Sequence, residues 1–290
     1  MHVCLGLQAL RSGVSTVLVE ALVEFISSRK RLVIITGAGI STPSGIGDYR
    51  DRNGEWKRAA PIQHDAFVRS AETRQRYWAR SFHGWRSFIR AQPNVAHHAL
   101  ASVPLQSRTL GIITQNVDRL HQGAGQMNVI DLHGRLDRVV CLDCGTYCTR
   151  VGLQERLAAL NPWLGTAEFS PAPDGDADLL LDAEQLREVR VPACDLCEGV
   201  LKPDVVFYGD SVPRPVVDAA YEWVDASDGV VIVGTSLMVF SSFRFCRHAH
   251  ARGIPMVVIN DGKTRADDLV TLRVDARCEQ LLPEVEAALM

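Results

Sequence analysis

Four short apolar runs constrain this chain more than any other feature. They are Arg31–Thr36 (RLVIIT), Thr109–Thr114 (TLGIIT), Gly229–Val233 (GVVIV) and Pro255–Ile259 (PMVVI). Each is dominated by β-branched residues and ends at a glycine or a polar turn, and helical-looking stretches lie between them. Strands buried on both faces read as continuous runs of this kind, because helices cover both sides of a parallel sheet. The pattern predicts an α/β fold, a Rossmann-like doubly wound parallel sheet. A helix over Val14–Ser28 precedes the first run, with Leu18, Leu22, Phe25 and Ile26 at helical spacing. Among 290 residues, 47% hydrophobic and 22% charged content excludes disordered, collagen-like and coiled-coil chains. No apolar run approaches the roughly 18–20 residues that span a bilayer.

Two segments interrupt the sheet pattern. Residues 53–92 are rich in arginine and aromatics and read as an inserted helical module. Residues 136–203 carry two C-x-x-C pairs and read as a small inserted zinc-binding module. Residues 1–52, 93–135 and 204–290 are then the nucleotide-binding domain. Within the second insertion, Asn161–Asp178 is rich in Pro, Gly, Asp and Ser and reads as a surface loop.

The first strand runs into Gly37-Ala38-Gly39-Ile40-Ser41. Glycine there permits a tight turn and lets backbone N–H groups approach a phosphate. A bare G-x-G is equally compatible with a tight connection that binds nothing, and the acidic residue that dinucleotide-binding folds place about 20 residues on has no persuasive candidate. The loop continues as Ser41-Thr42-Pro43-Ser44-Gly45-Ile46-Gly47-Asp48-Tyr49-Arg50, which combines an acid, an aromatic and a base. After the second run, Gln115, Asn116 and Asp118 occupy a strand's carboxyl end, where open sheets bind ligands; helix capping would suit the same residue types. His133, in Leu132-His133-Gly134, has the side chain best matched to proton transfer near neutral pH, although a lone histidine is more often a packing residue. Cys141, Cys144, Cys194 and Cys197 form two C-x-x-C pairs. Four thiolates suit one closed, structural zinc, and a redox dithiol is the alternative.

Gly37–Arg50 (GAGISTPSGIGDYR) closely resembles the signature loop of the sirtuins, the NAD-dependent protein-lysine deacylases. Gly47 replaces the proline usual there. Thr114–His121, Leu132-His133-Gly134, the cysteine pairs, Leu201–Asp210 (LKPDVVFYGD), Gly234-Thr235-Ser236 and Asn260 follow in family order, so the resemblance runs from about Val14 to Leu282. It implies that NAD is a consumed co-substrate and that the acyl group passes from lysine to ADP-ribose, with release of nicotinamide. It implies NAD contacts from Gly37, Ala38, Gly39, Ile40, Ser41, Ser44, Gly45, Ile46, Asp48, Tyr49 and Arg50. Further contacts fall to Gln115, Asn116, Asp118, Gly234, Thr235, Ser236, Asn260, Asp261, Gly262 and Cys278. His133 is then the catalytic base, assisted by Asn116 and Asp118. Val206 and Phe207 meet the acyl-lysine, and one structural Zn²⁺ sits on the four cysteines.

Residues 61–70, 74–81, 136–144 and 172–176 resemble the class II, sirtuin-4 group. Residues 55–58 (EWKR) lack the tyrosine with which class III members hold acidic acyl groups, so efficient desuccinylation is not expected. The expected partners are acyl-lysine proteins, with no membrane and no direct nucleic acid, given a net charge of −3. A monomer is expected, in a bacterial cytoplasm, or in the mitochondrial matrix of a eukaryote. Three other readings stay open. A protein mono-ADP-ribosyltransferase would use the same pocket. A non-catalytic NAD-sensing or zinc-based interaction module would be favoured by loss of His133 or Asn116, and both are present. The arginines and aromatics of residues 69–90 could stack RNA, although an amphipathic helix pair with a solvated basic face accounts for them better.

Overall fold

The computed structural model of the chain describes residues 16–57, 62–172 and 176–290. The strands are β1 (Leu32–Thr36), β2 (Thr109–Thr114), β3 (Val129–Asp131), β4 (Gly134–Cys141), β5 (Tyr147–Thr149), β6 (Phe169–Ala172), β7 (Asp176–Leu179), β8 (Leu201–Val205), β9 (Gly229–Val233), β10 (Met256–Ile259) and β11 (Leu272–Val274). Six of them make an all-parallel sheet in the order β11-β10-β9-β1-β2-β3. All four apolar runs are central strands of it.

The chain forms two compact units: residues 1–58, 92–132 and 212–290, and residues 59–91 and 133–211. The first unit holds the parallel sheet. Alternate residues of β1 feed two different cores, because side chains alternate across a strand. Leu32 and Ile34 pack with the helices Thr16–Ser27, Val95–Leu100 and Cys278–Leu289. Val33 and Ile35 pack on the other face with the helices Arg214–Ala226 and Phe240–Ala251. The first helix is described from Thr16, so Val14 and Ser15 lie outside the described residues. No helix among the described residues is long and apolar enough to cross a membrane.

The second unit departs from the sequence reading. The two insertions share one core, in which Phe67, Trp78 and Phe82 pack with Val139, Leu153, Leu157 and Leu201. Its three-stranded antiparallel sheet runs β5-β4-β8, so pairing with β4 brings β8 and the residues after it into this unit. Its described helices are His64–Arg69, Ala71–Phe88, Arg150–Leu160 and Ala183–Glu188. Residues 53–57 are not helical: the Asp51 side chain accepts the N–H groups of Asn53 and Glu55 at 2.8 and 2.9 Å, closing a turn that competes with helix.

The stretch expected as a surface loop is instead a 3₁₀ turn, Pro162–Thr166, followed by the hairpin β6–β7. Leu164 and Ala177 are fully buried there, and Arg80 grips Asp176 through two hydrogen bonds at 2.9 and 2.7 Å. Packing also decides the arginine–aromatic segment. Phe67, Trp78, Phe82, Trp85 and Phe88 are all buried and offer no face to a base. Buried Arg150 lies against Trp78 and Trp85 and donates to the Ser81 carbonyl at 3.0 Å.

Candidate active site

The strand order reverses between β1 and β9, and ligands of open sheets bind beyond the carboxyl ends of the strands at such a point. Here the two glycine turns meet. The Gly39 N–H donates to the Gly234 carbonyl at 2.8 Å. Gly234 holds φ +59°, and a Cβ on it would stand 2.5 Å from the Ile40 nitrogen. Neither turn could approach the other so closely with side chains at these positions.

The polar residues of the first unit converge on the same strand ends. Ser41 Oγ donates to Asp118 Oδ2 at 2.6 Å, and the Leu120 N–H donates to Asp118 Oδ1 at 2.9 Å. Asn116 Nδ2 donates to the Gly37 carbonyl at 3.1 Å and to Ser41 Oγ at 3.0 Å. Gln115 Nε2 donates to Thr235 Oγ1 at 2.8 Å, which joins the β2 end to the β9 turn. Burial pushes the Asp118 carboxyl above its usual range, against the opposing pull of Ser41 and the Leu120 N–H. Leu237, just past Ser236, is buried at φ 56°, a left-handed conformation costing roughly 1–2 kcal/mol for a non-glycine residue.

The remaining predicted cofactor residues lie around this group. Ile40 and Ile46 are buried beneath the loop, and the Ala38 carbonyl accepts the Ser41 N–H at 3.0 Å. A Cβ on Gly45, at φ +86°, would meet open space. Asp48 pairs with Lys57 at 2.5 Å, Tyr49 meets Trp56 edge-on, and the Arg50 guanidinium stacks 3.9 Å from the Trp56 ring. Asn260 is buried and donates through Nδ2 to the Gly262 carbonyl at 3.0 Å. Asp261 pairs with Arg52 at 2.7 Å, and a Cβ on Gly262 would strike the Arg52 carbonyl. Cys278 Sγ lies 3.7 Å from the Gly39 carbonyl, and burial pushes its thiol up to about 12.

Two residues without a role in the sequence reading hold this site together. Asn94 caps the helix Val95–Leu100, and its Nδ2 donates to the Ile40 carbonyl and Ser44 Oγ at 2.8 and 2.9 Å. The legible signal was an Asn ahead of a short apolar helix with a histidine three positions on. His121 is fully buried, with Nε2 2.9 Å from Thr36 Oγ1.

The second unit carries the other predicted residues. His133 is half-buried, and its carbonyl accepts the Val206 N–H at 2.8 Å. Phe207 is buried against Phe67 and Tyr77, with ring centroids 5.2 and 5.3 Å apart, while Val206 is half-buried. Cys141, Cys144, Cys194 and Cys197 present sulfurs that all lie within 4.8 Å of one another. Cys141–Cys197 is 3.5 Å and Cys144–Cys194 is 3.8 Å. A tetrahedral zinc with bonds of about 2.3 Å separates its sulfurs by about 3.8 Å, so the four thiols fit one closed zinc site.

Residues 37–241 match the Sir2 family. NAD-dependent protein deacetylase 2 of Bradyrhizobium diazoefficiens is 52% identical over 264 residues, 91% of this chain and 96% of that protein. The mitochondrial NAD-dependent protein lipoamidase sirtuin-4 of Bos taurus is 47% identical over 271 residues, 92% of this chain and 85% of that protein. Among solved structures, Sir2 with a p53 peptide and NAD+ superposes with a TM-score of 0.74 at 27% identity, covering 93% of this chain and 97% of that one. Sir2Tm bound to a propionylated peptide gives 0.73 at 27% identity, covering 93% and 99%.

Proposed function

The chain belongs to the Sir2 family, and from that premise we propose that it removes acyl groups from protein lysines, with NAD as the consumed co-substrate. The observation that carries the reading is the hydrogen-bonded Ser41–Asp118–Asn116 group at the switch point of the sheet, beside two glycine turns in close contact. A carboxylate, side-chain amides and the closely packed backbone of two glycine turns make a set of polar groups that suits a ligand bearing a carboxamide, hydroxyls and phosphates. NAD supplies an electrophilic ribose carbon, with nicotinamide as its leaving group.

The chain's own residues divide the rest of the work. Asp118 accepts the carboxamide N–H groups and fixes the leaving group, and Ser41 and the Leu120 N–H hold that carboxylate in one orientation. Asn116 and Gln115 orient the ribose. Residues 37–50 cover the phosphates, Asn260 to Gly262 take the adenosine end, and Cys278 lies near the adenine. His133 takes a proton from a ribose hydroxyl, the step best served by a base titrating near neutrality. Val206 and Phe207 border the acyl-lysine. The four cysteines hold a structural zinc that takes no part in the chemistry.

The similarity to a lipoamidase, together with the sequence signals at residues 61–70 and 74–81, supports a place in the sirtuin-4 group and acyl chains longer than acetyl. The test is incubation with NAD and a panel of acyl-lysine peptides from acetyl to lipoyl, with products followed by mass spectrometry. Acyl-ADP-ribose that disappears in His133→Ala is expected. NAD consumption with mass added to protein and no deacylated peptide would instead indicate ADP-ribosyl transfer.

A further inference from the structure

The segment after β9 carries a second group of side chains for which the NAD reaction has no use. Phe240 opens the helix Phe240–Ala251, and 48% of it is exposed. Three guanidinium groups gather on its ring: Arg244 at 5.5 Å from the centroid, and Arg247 and Arg265 at 6.0 Å each. Arg265 also lies 4.6 Å from the Phe243 ring. None of the three forms an ion pair with a described carboxylate, and Arg244 Nε is buried without a hydrogen-bond partner. Arg52, Arg80, Arg119, Arg138, Arg156 and Arg273 by contrast each meet an aspartate, and the other arginines set on rings, such as Arg29, Arg50 and Arg86, stand one to a ring.

Cations gathered on one ring repel each other, and the ring offsets this only in part, by about 0.5–1 kcal/mol for each exposed contact. What the arrangement achieves is to steady three planar donor groups while leaving most of their N–H groups uncommitted. Guanidinium forks match carboxylates in two-point contacts. The group is also tied to the NAD-binding turn. The Arg265 N–H donates to the Ser236 carbonyl at 2.9 Å, and its Nη1 reaches the Met238 carbonyl at 3.4 Å. The positive patch therefore stands at the ligand-binding end of the sheet. The net charge of the whole chain is −3, so the patch is local and does not reflect a generally basic surface.

We propose that Arg244, Arg247 and Arg265, gathered on Phe240, bind the carboxylates of Asp and Glu residues flanking the acyl-lysine of the protein substrate. The proposal rests on the deacylase reading and adds a sequence preference to it. A peptide segment fits better than a lone anion because it supplies several carboxylates together with apolar stems that can cover the exposed Phe240 ring.

The test compares peptides carrying one acyl-lysine between acidic, neutral or basic flanks. The acidic peptide should show a KM about tenfold lower than the neutral one, a gap that shrinks as NaCl rises from about 50 to 300 mM. The double variant Arg247→Glu, Arg265→Glu should erase the gap between the acidic and neutral peptides. Both side chains are exposed, and circular dichroism checks that the variant folds. Arg247→Gln with Arg265→Gln should narrow the gap without reversing it. Equal KM values for acidic and neutral peptides in the wild type, or a gap that survives in the double variant, would overturn the proposal. If no peptide is turned over, the deacylase reading fails separately. Fluorescence anisotropy of a labelled Asp/Glu-rich peptide then still decides, because binding lost in the double variant supports the site and no binding removes it. Preferential capture of a single-stranded oligonucleotide by these arginines would overturn the assignment to an acidic peptide.

Discussion

His121 Nε2 lies 2.9 Å from Thr36 Oγ1, and Thr36 Oγ1 donates to Thr114 Oγ1 at 2.9 Å, so one buried imidazole joins the carboxyl ends of β1 and β2. The neighbouring His97 ring is 4.9 Å away. His97 Nδ1 accepts the Asn94 N–H at 3.3 Å, which leaves Nε2 as the protonated nitrogen. His121 donates to Thr36 through Nε2, which leaves Nδ1 as an acceptor. These two remaining nitrogens, His97 Nε2 and His121 Nδ1, are buried without a hydrogen-bond partner.

The pair is built to stay neutral. Burial lowers His97 to about 4 and holds His121 well below the usual imidazole range. In the unfolded chain both titrate near 6.5. The unfolded state therefore takes up protons first as pH falls, so stability is complete above about pH 6.5 and is lost progressively toward pH 4. The His97 shift alone corresponds to roughly 3 kcal/mol across that window. Urea unfolding at pH 7.5, 6.0 and 5.0 should show the decline, and His97→Gln should make it shallower, with His121 supplying the remainder. A wild-type profile flat from pH 7.5 to 5 would refute the neutral pair.

Asp118 sets stability against function. Its carboxylate is buried and its pKa is raised by that burial, so ionisation costs the fold energy. Asp118→Asn removes the charge but keeps an acceptor for the Leu120 N–H and a partner for Ser41. Differential scanning calorimetry should find Tm unchanged or a few degrees higher, while NAD-dependent deacylation falls at least a hundredfold. A Tm loss of several degrees would show that the ionised group stabilises the fold.

Most of the sheet and the residue content of the site could be read from the chain. β-branched runs such as GVVIV have few alternatives once helical stretches alternate with them, and the motif residues follow directly at the strand ends. What stayed hidden depends on contacts across long sequence separations. Nothing local shows that Arg80 meets Asp176, so the hairpin Phe169–Leu179 read as loop from its Pro and Gly content. Nothing local shows that Phe67 shares a core with Leu153, so one unit read as two insertions. Asn94 has no role in the sequence reading, and its contact with Ser44 depends on a loop 50 residues away. The glycine pair Gly39 and Gly234 was legible as two turns, but their contact was not.

Gly134 should tolerate no side chain. It holds φ +81°, and a Cβ would stand 2.2 Å from the Asp204 carbonyl oxygen, a backbone atom that cannot move aside without breaking the β4–β8 pairing. Gly134→Ala should cost about 3 kcal/mol or more, from left-handed strain plus the clash. His133 is the preceding residue and accepts the Val206 N–H, so kcat should fall with stability. Chemical denaturation and steady-state kinetics on the same preparation check both; a stable variant with normal kcat would refute the argument.

The cysteine site predicts a separation between metal and chemistry. Four thiols at tetrahedral spacing leave zinc no open position for substrate or water. Purified protein should therefore contain one zinc per chain by elemental analysis. Cys194→Ser should lose the metal and lower Tm by ~10 °C or more, because binding energy at a structural site is folding energy. Replacing zinc with cobalt should produce thiolate charge-transfer absorption and leave kcat within about twofold, since the ion acts only through the fold of the second unit. A cobalt enzyme that folds with the same Tm yet loses most of its turnover would place the metal in the reaction and overturn the structural assignment.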